Sequence, residues 1–244
     1  MPFTFSHPAL ILPLRYFSKK WFSLTGLIVG SIIPDFEYFL RMKIKSDYSH
    51  SLWGVFWLDL PLALLIAFLF HNLIRKDLVL NLPICLKSRV INTITFDWNS
   101  YFRKNSIIVL YSILIGIGSH LLWDSFTHDN GFFVQQIPFL SHYVTILEYK
   151  IPVLKLAQHA STLIGLVVIV WNINKIPQQK NVDSKIDSNY WLLIVSIAII
   201  VVLVKIASQY NEIKIGNVIV STIAALLLSS IITSYIRKLI VNKK

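Results

Sequence analysis

The chain has 244 residues, of which 55% are hydrophobic and only 14% charged, with a formal net charge of +11. So apolar a composition excludes an ordinary soluble domain and reads as a polytopic membrane protein; its surplus Lys and Arg suit lipid head groups and cytoplasmic loops, and no nucleic-acid partner is expected. One cysteine, Cys85, excludes an intramolecular disulfide and a cysteine-built zinc site, so any metal would be held by His and carboxylate.

The first residues, through Ser6-His7-Pro8, lack a charged region followed by an apolar core and do not read as a cleaved signal peptide. Pro8 suits the first turn of a short helix. The apolar run that follows is interrupted by Arg15, Lys19 and Lys20, and the next one, Trp21 to Ile33, contains Gly26 and Gly30 and stops at Pro34-Asp35. At about 13 residues this second run is short of the ~20 a full span needs, so residues 8–33 read as a helical hairpin or partial span. Such a hairpin would return His7 to the neighbourhood of Asp35. Ser51 to Phe70 reads as a span broken by Asp59 and Pro61. His71 to Arg103 reads as a long basic loop with an interfacial aromatic helix, and Ser106 to Trp123 as the return span. Asp124 to Lys155 reads as a loop with a turn at Asp129-Asn130-Gly131. Leu156 to Trp171, Trp191 to Val204 and Val218 to Ile236 complete the spans. The expected fold is all-α, a polytopic helical membrane protein with about five to six membrane helices and a metal site at one membrane face. Residues 1–172 would form the membrane domain carrying the site, 173–190 a polar loop, and 191–244 a two-helix hairpin without ligand-type residues.

His120, Asp124 and His128 are spaced four and four, which on a helix places them on one face at the end of a span. Ionisable groups there are costly unless paired or bound, so they mark function. If each span crosses once, His50, Asp124, His128 and His159 fall on one side, with Asp35 a short loop from His50. His71 falls opposite, and His142 reads as a solvated loop residue. The candidate ligand set is therefore His7, Asp35, His50, His120, Asp124, His128 and His159. His and carboxylate donors suit a divalent ion, zinc first and manganese or iron next. Five His and two Asp are too many for one catalytic ion and about right for two, with Asp35 or Asp124 bridging, and two-metal sites activate water for phosphoryl displacement. No Gly-x-Ser-x-Gly element, phosphate-binding glycine loop or catalytic cysteine context competes with that reading. Asp35 and Asp124 are the candidate catalytic carboxylates. Glu37, Ser51, Thr127 and Ser161 are candidate supports for the ligands, with helix capping the competing role; Trp53 and Trp123 are candidate walls.

Four segments carry a resemblance: Phe5-Ser6-His7-Pro8-Ala9, Gly30-Ser31-Ile32-Ile33-Pro34-Asp35-Phe36-Glu37-Tyr38, His50-Ser51-Leu52-Trp53-Gly54, and Ser119-His120-Leu121-Leu122-Trp123-Asp124-Ser125-Phe126-Thr127-His128. Together they resemble the bacterial membrane family called domain of unknown function 4184, over roughly residues 1 to 240. Their order is also similar to that of the membrane-bound metal-dependent hydrolases and, distantly, the all-helical zinc phospholipase C and single-strand nuclease fold. That resemblance implies His7, Asp35, His50, His120, Asp124, His128 and His159 as ligands, zinc as the metal and phosphodiesters as substrates. In the soluble enzymes the last His is followed four residues on by a carboxylate; here His159 is followed by Leu163, which favours one or two ions over three.

The resulting expectation is a membrane-bound metal-dependent hydrolase of a phosphodiester, possibly in a lipid head group. The alternatives are a non-catalytic membrane protein with a structural metal site and a metal-ion transporter. Thirteen Lys and Arg on the opposite face, those of the tail including Lys243 and Lys244, stand against ten on the site face. The positive-inside rule then puts the site on the non-cytoplasmic face of a bacterial inner membrane.

Overall fold

The computed structural model describes residues 3–17, 20–208 and 214–241; Lys19, Lys243 and Lys244 lie outside the described residues. Three short helices, α1 (Pro8–Ile11), α2 (Leu24–Ile32) and α3 (Phe36–Arg41), precede the long α4 (Leu52–Leu80). Then come α5 (Ile84–Val90), α6 (Trp98–Asp124), α7 (Phe132–Gln136) and α8 (Pro138–Ser141). An antiparallel hairpin, β1 (Tyr143–Ile146) and β2 (Tyr149–Pro152), leads into α9 (Val153–Asn174), α10 (Ser188–Ser208) and α11 (Ile215–Val241). Five of these, α4, α6, α9, α10 and α11, are long and apolar enough to cross a membrane. The chain is a helical multi-pass membrane protein.

Two units are distinguishable, one of Met1–Pro34, Tyr48–Ala63 and Lys104–Lys175, the other of Asp35–Asp47, Leu64–Arg103 and Ile176–Lys244. Neither is contiguous in sequence, because α4 and α6 each pass through both; the polar stretch 173–190 suggests a contiguous division instead.

In the first unit α2 has nine residues, or roughly 13 Å of helix, well short of the ~30 Å hydrocarbon core. It starts where Ser23 Oγ accepts from the Gly26 amide (3.2 Å), while the Ser23 amide donates to Ser112 Oγ of α6 (2.9 Å). Gly26 and Gly30 are one turn apart on α2, and Ser112 and Gly116 one turn apart on α6. A Cβ on Gly30 would collide with the Ile113 carbonyl, and one on Gly116 with the Leu27 carbonyl. Backbones approach this closely only where both helices present small residues. Leu27, Ile33, Val109, Ile113 and Ile117 fill the core around the contact. The N-terminal segment packs on α9: the Phe3 amide donates to Thr162 Oγ1 (3.0 Å), and Tyr16 Oη donates to Asn172 Oδ1 (3.3 Å).

In the second unit the expected loop over His71 to Arg103 is much shorter. Helix α4 continues through His71, Arg75, Lys76 and Asp77 to Leu80, and α6 begins at Trp98. Partners within the unit make Arg75 and Asp77 tolerable in a helix. Arg75 donates from Nη1 to His71 Nδ1 (2.8 Å) and from Nη2 to the Phe96 carbonyl (2.8 Å), and the His71 ring stacks on Trp98 at 4.5 Å. Arg237 of α11 reaches Asp187 at 2.6 Å and Asp77 at 3.8 Å. The Arg237 hydrogen bond holds the exposed Asp187 carboxyl below the ordinary carboxylate range. The Lys87 ammonium donates to the carbonyls of Asp183 (3.0 Å) and Lys185 (2.7 Å).

The glycine contact yields a paired expectation. Gly30→Ala forces α2 from α6 and costs about 1–3 kcal/mol, as overpacking does. Gly118→Ala, whose Cβ meets nothing within 4 Å, is neutral or stabilising because Ala is the better helix former. Thermal unfolding of the two variants in one detergent reads the difference.

Candidate metal centre

Three short-range rules bring the ligands to their places. His7 is the residue before Pro8, where the proline starts α1. His50 immediately precedes Ser51, whose Oγ accepts from the Gly54 amide and so starts α4. His120 and Asp124 are one turn apart at the end of α6. The helix ends at Asp124, so His128 lies beyond the helix expected to carry it. It keeps the helical spacing through a bond from its amide to the Asp124 carbonyl (3.0 Å).

Around Asp124 the geometry divides by oxygen. Oδ2 lies 3.2 Å from His120 Nε2 and 3.5 Å from His50 Nε2. Oδ1 lies 3.6 Å from His128 Nδ1 and 3.7 Å from His7 Nε2. The His7 and His120 rings stack at 3.9 Å. Asp35, joined to Pro34 by one peptide bond, completes the group: one ligand atom each of Asp35, His50, His120 and Asp124 lie within 4.8 Å of one another. The side chains of His7 and His120 are fully buried and that of Asp124 is 7% exposed, whereas those of His50 and His128 are 27% and 31% exposed and open the centre to the outside.

The donors are set for a cation. A carbonyl only accepts, so the 2.8 Å contact of His120 Nδ1 with the Ser31 carbonyl puts the ring proton on Nδ1. The neutral ring then turns an Nε2 lone pair toward the Asp124 carboxylate, and only a proton or a metal ion reconciles two facing acceptors. Likewise His128 Nδ1 donates to the Asp124 carbonyl (3.1 Å), and its Nε2 is buried with no hydrogen-bond partner among the described residues. Burial pushes the His128 pKa down, more than the Asp124 charge pushes it up, which favours the neutral, ligating form. Nitrogen and oxygen ligands of one tetrahedral zinc ion sit roughly 3.4 Å apart, from bonds of about 2.0–2.2 Å. The separations of His120, His50 and His7 Nε2 from Asp124, 3.2, 3.5 and 3.7 Å, bracket that value. A His and carboxylate set without sulfur fits zinc and also manganese or iron.

The remaining candidates sort plainly. His159 is exposed on α9, beside the buried Gln158, and is not part of the group. The reason is helical phase: Leu154 and Gln158 take the inward face, and the next residue is turned ~100° away. Trp123 packs edge-on against the His7 ring at 5.3 Å, but Trp53 is 82% exposed and walls nothing. The four proposed supports do local work. Ser51 caps α4; Thr127 and Ser161 bond to the carbonyls of Trp123 and Gln158; Glu37 accepts from Arg41, Ser46 and the Asp47 amide. The contact that sequence reasoning missed is the Ser31 carbonyl behind His120, foreshadowed by Gly26-x-x-x-Gly30 one residue before it.

The model of the family described as domain of unknown function (DUF4184) matches residues 1–235. The chain belongs to this family. No curated protein and no solved structure matches it.

His120→Ala should abolish stoichiometric metal in the purified protein, whereas His159→Ala should keep it. Elemental analysis of the two variants checks both.

Proposed function

We propose that this family member is a membrane-bound hydrolase that uses divalent metal to cleave a phosphodiester, with a lipid head group as the preferred substrate class. The observation that carries the reading is the division of the Asp124 carboxylate between two histidine pairs, in a buried cluster open through His50 and His128. His50, His120, Asp35 and Asp124 Oδ2 would hold one ion, and His7, His128 and Asp124 Oδ1 a second. A bound divalent ion supplies Lewis acidity toward a phosphoryl oxygen and brings the acidity of water near neutral pH.

The chain's own residues do the rest. Ser31 fixes the His120 tautomer, and such outer partners tune a ligand's basicity and orientation. Asp124 supplies charge to both histidine pairs. Asp35, fully buried in the same cluster, is the second carboxylate, placed to ligate or to take a proton from water. The half-exposed His50 and His128 line the approach. The ligands sit at helix starts and at the end of a spanning helix, the depth at which lipid head groups lie. The positive-inside charge balance supports a site on the non-cytoplasmic face.

The test is hydrolysis of phospholipids and of bis(p-nitrophenyl) phosphate by detergent-purified protein, with and without chelator. Activity should vanish with EDTA and return with zinc or manganese. Asp124→Asn should lose metal and activity together, by more than the roughly 10–100-fold that loss of an outer-shell partner costs. Protein carrying stoichiometric metal yet inactive on every phosphoester class would instead assign the centre a structural role.

A further inference from the structure

We propose that the β1–β2 hairpin, with the aromatic residues of α7 and α8 that precede it, is a lipid-docking surface that lies in the head-group layer and seats its tip, Leu147, among the acyl chains. This rests on α6 and α9 crossing the membrane and not on the proposed hydrolysis.

The hairpin has no core of its own. All four residues of β1 are exposed, on both faces of the strand, and three of them, Tyr143, Val144 and Ile146, are large and apolar. A lone two-stranded hairpin is at best marginally stable in water, and three or more strands or a packed helix are needed to support it. Its tip is made of residues that disfavour it. Leu147 and Glu148 take φ of 45° and 72°, the left-handed pair that a two-residue hairpin turn demands and that Asn-Gly normally supplies. A leucine held in that conformation and 87% exposed gains nothing from the fold; its gain lies in an apolar surrounding outside the chain.

The position on the chain identifies that surrounding. Helix α6 ends at Asp124, and β2 runs without a linker into α9, for which Pro152 is the N-cap. Four strand residues extend ~13 Å, so the tip stays close to the start of a membrane helix. Across residues 132–152 only Glu148 and Lys150 are charged, one of each sign, while Phe132, Phe139, Tyr143 and Tyr149 are each more than 60% exposed. Tyrosines such as Tyr143 and Tyr149 concentrate at membrane–water interfaces, and the two phenylalanines add apolar surface beside them. Further along α9, Leu163, Ile164 and Val167 are likewise exposed. The occupant is therefore the bilayer itself, and a zwitterionic one suffices because the segment carries no net charge.

The test uses the full chain in phosphatidylcholine nanodiscs. On a Cys85→Ser background, an environment-sensitive fluorophore is placed at Leu147→Cys, with Val167→Cys as the lipid reference and Lys180→Cys as the aqueous one. The proposal expects blue-shifted emission at position 147 and quenching by acyl-brominated lipid at least half that at position 167, with little quenching by iodide. Tyr143→Cys gives an independent reading should the tip substitution disturb the turn. Iodide quenching at both 147 and 143 comparable to that at 180, without quenching by brominated lipid, would overturn it. That result would leave a water-facing apolar hairpin for a protein partner.

Discussion

A carboxylate buried among imidazoles must be matched by positive charge. Asp124 is almost wholly removed from solvent, and removing an ionised carboxylate from water is costly unless partners compensate. The Nε2 atoms of His120, His50 and His7 lie within 3.2–3.7 Å, and each provides charge only by binding a proton or by sharing a metal ion. Protonating all three would crowd positive rings together, with His7 and His120 stacked at 3.9 Å. Stacking at that distance suits neutral, ligating rings. One imidazolium would balance the single carboxylate charge, and a metal ion shared among the rings would do so while leaving every ring neutral; this geometry is able to hold either.

The backbone is arranged to keep those acceptors facing each other. The glycine contact between α2 and α6 brings the Ser31 carbonyl within 2.8 Å of His120 Nδ1 and so decides which ring nitrogen faces Asp124. The chain then leaves α2 through a 3₁₀ turn, Ile33–Asp35, which delivers Asp35 four residues after Ser31. One close helix contact thus sets both a ligand's tautomer and the origin of a second carboxylate. Bulk at Gly30 would act on the metal centre through this path without touching a ligand.

What the sequence made legible follows from how local each determinant is. The His120–Asp124 pair was readable because helical periodicity is a short-range rule, and His7 and His50 because an expected hairpin and single-crossing spans put them on the same side. The five spans were readable from apolar length. The extent of α4 was not, since Arg75 and Asp77 look like a loop until Phe96 and Arg237 supply partners from farther along the chain. His159 shows the limit of topology: being at the right end of the right helix says nothing about phase, and here Gln158 faces inward. The hairpin was hidden for the opposite reason, because its Leu147-Glu148 tip lacks the Asn-Gly chemistry by which such turns announce themselves.

The position of the ligands also bears on the choice between chemistry and transport. A transporter gathers its ion ligands near the bilayer midplane, where broken helices open their backbone. Helix α4 does contain such an irregularity, a wider turn over Val55–Asp59 in which the Leu60 amide donates to the Val55 carbonyl, with Asp59 fully buried. Pro61 accounts for it: the residue has no amide hydrogen and its ring collides with the carbonyl four residues back, so the preceding turn widens. Asp59 is not a member of the cluster that can hold a metal, whose histidines and carboxylates come instead from helix starts and a helix end. An ion bound there would lie beside two half-exposed histidines at the end of a spanning helix, next in sequence to the apolar hairpin segment. That placement is why we propose a substrate presented at the membrane surface in preference to an ion passing through it.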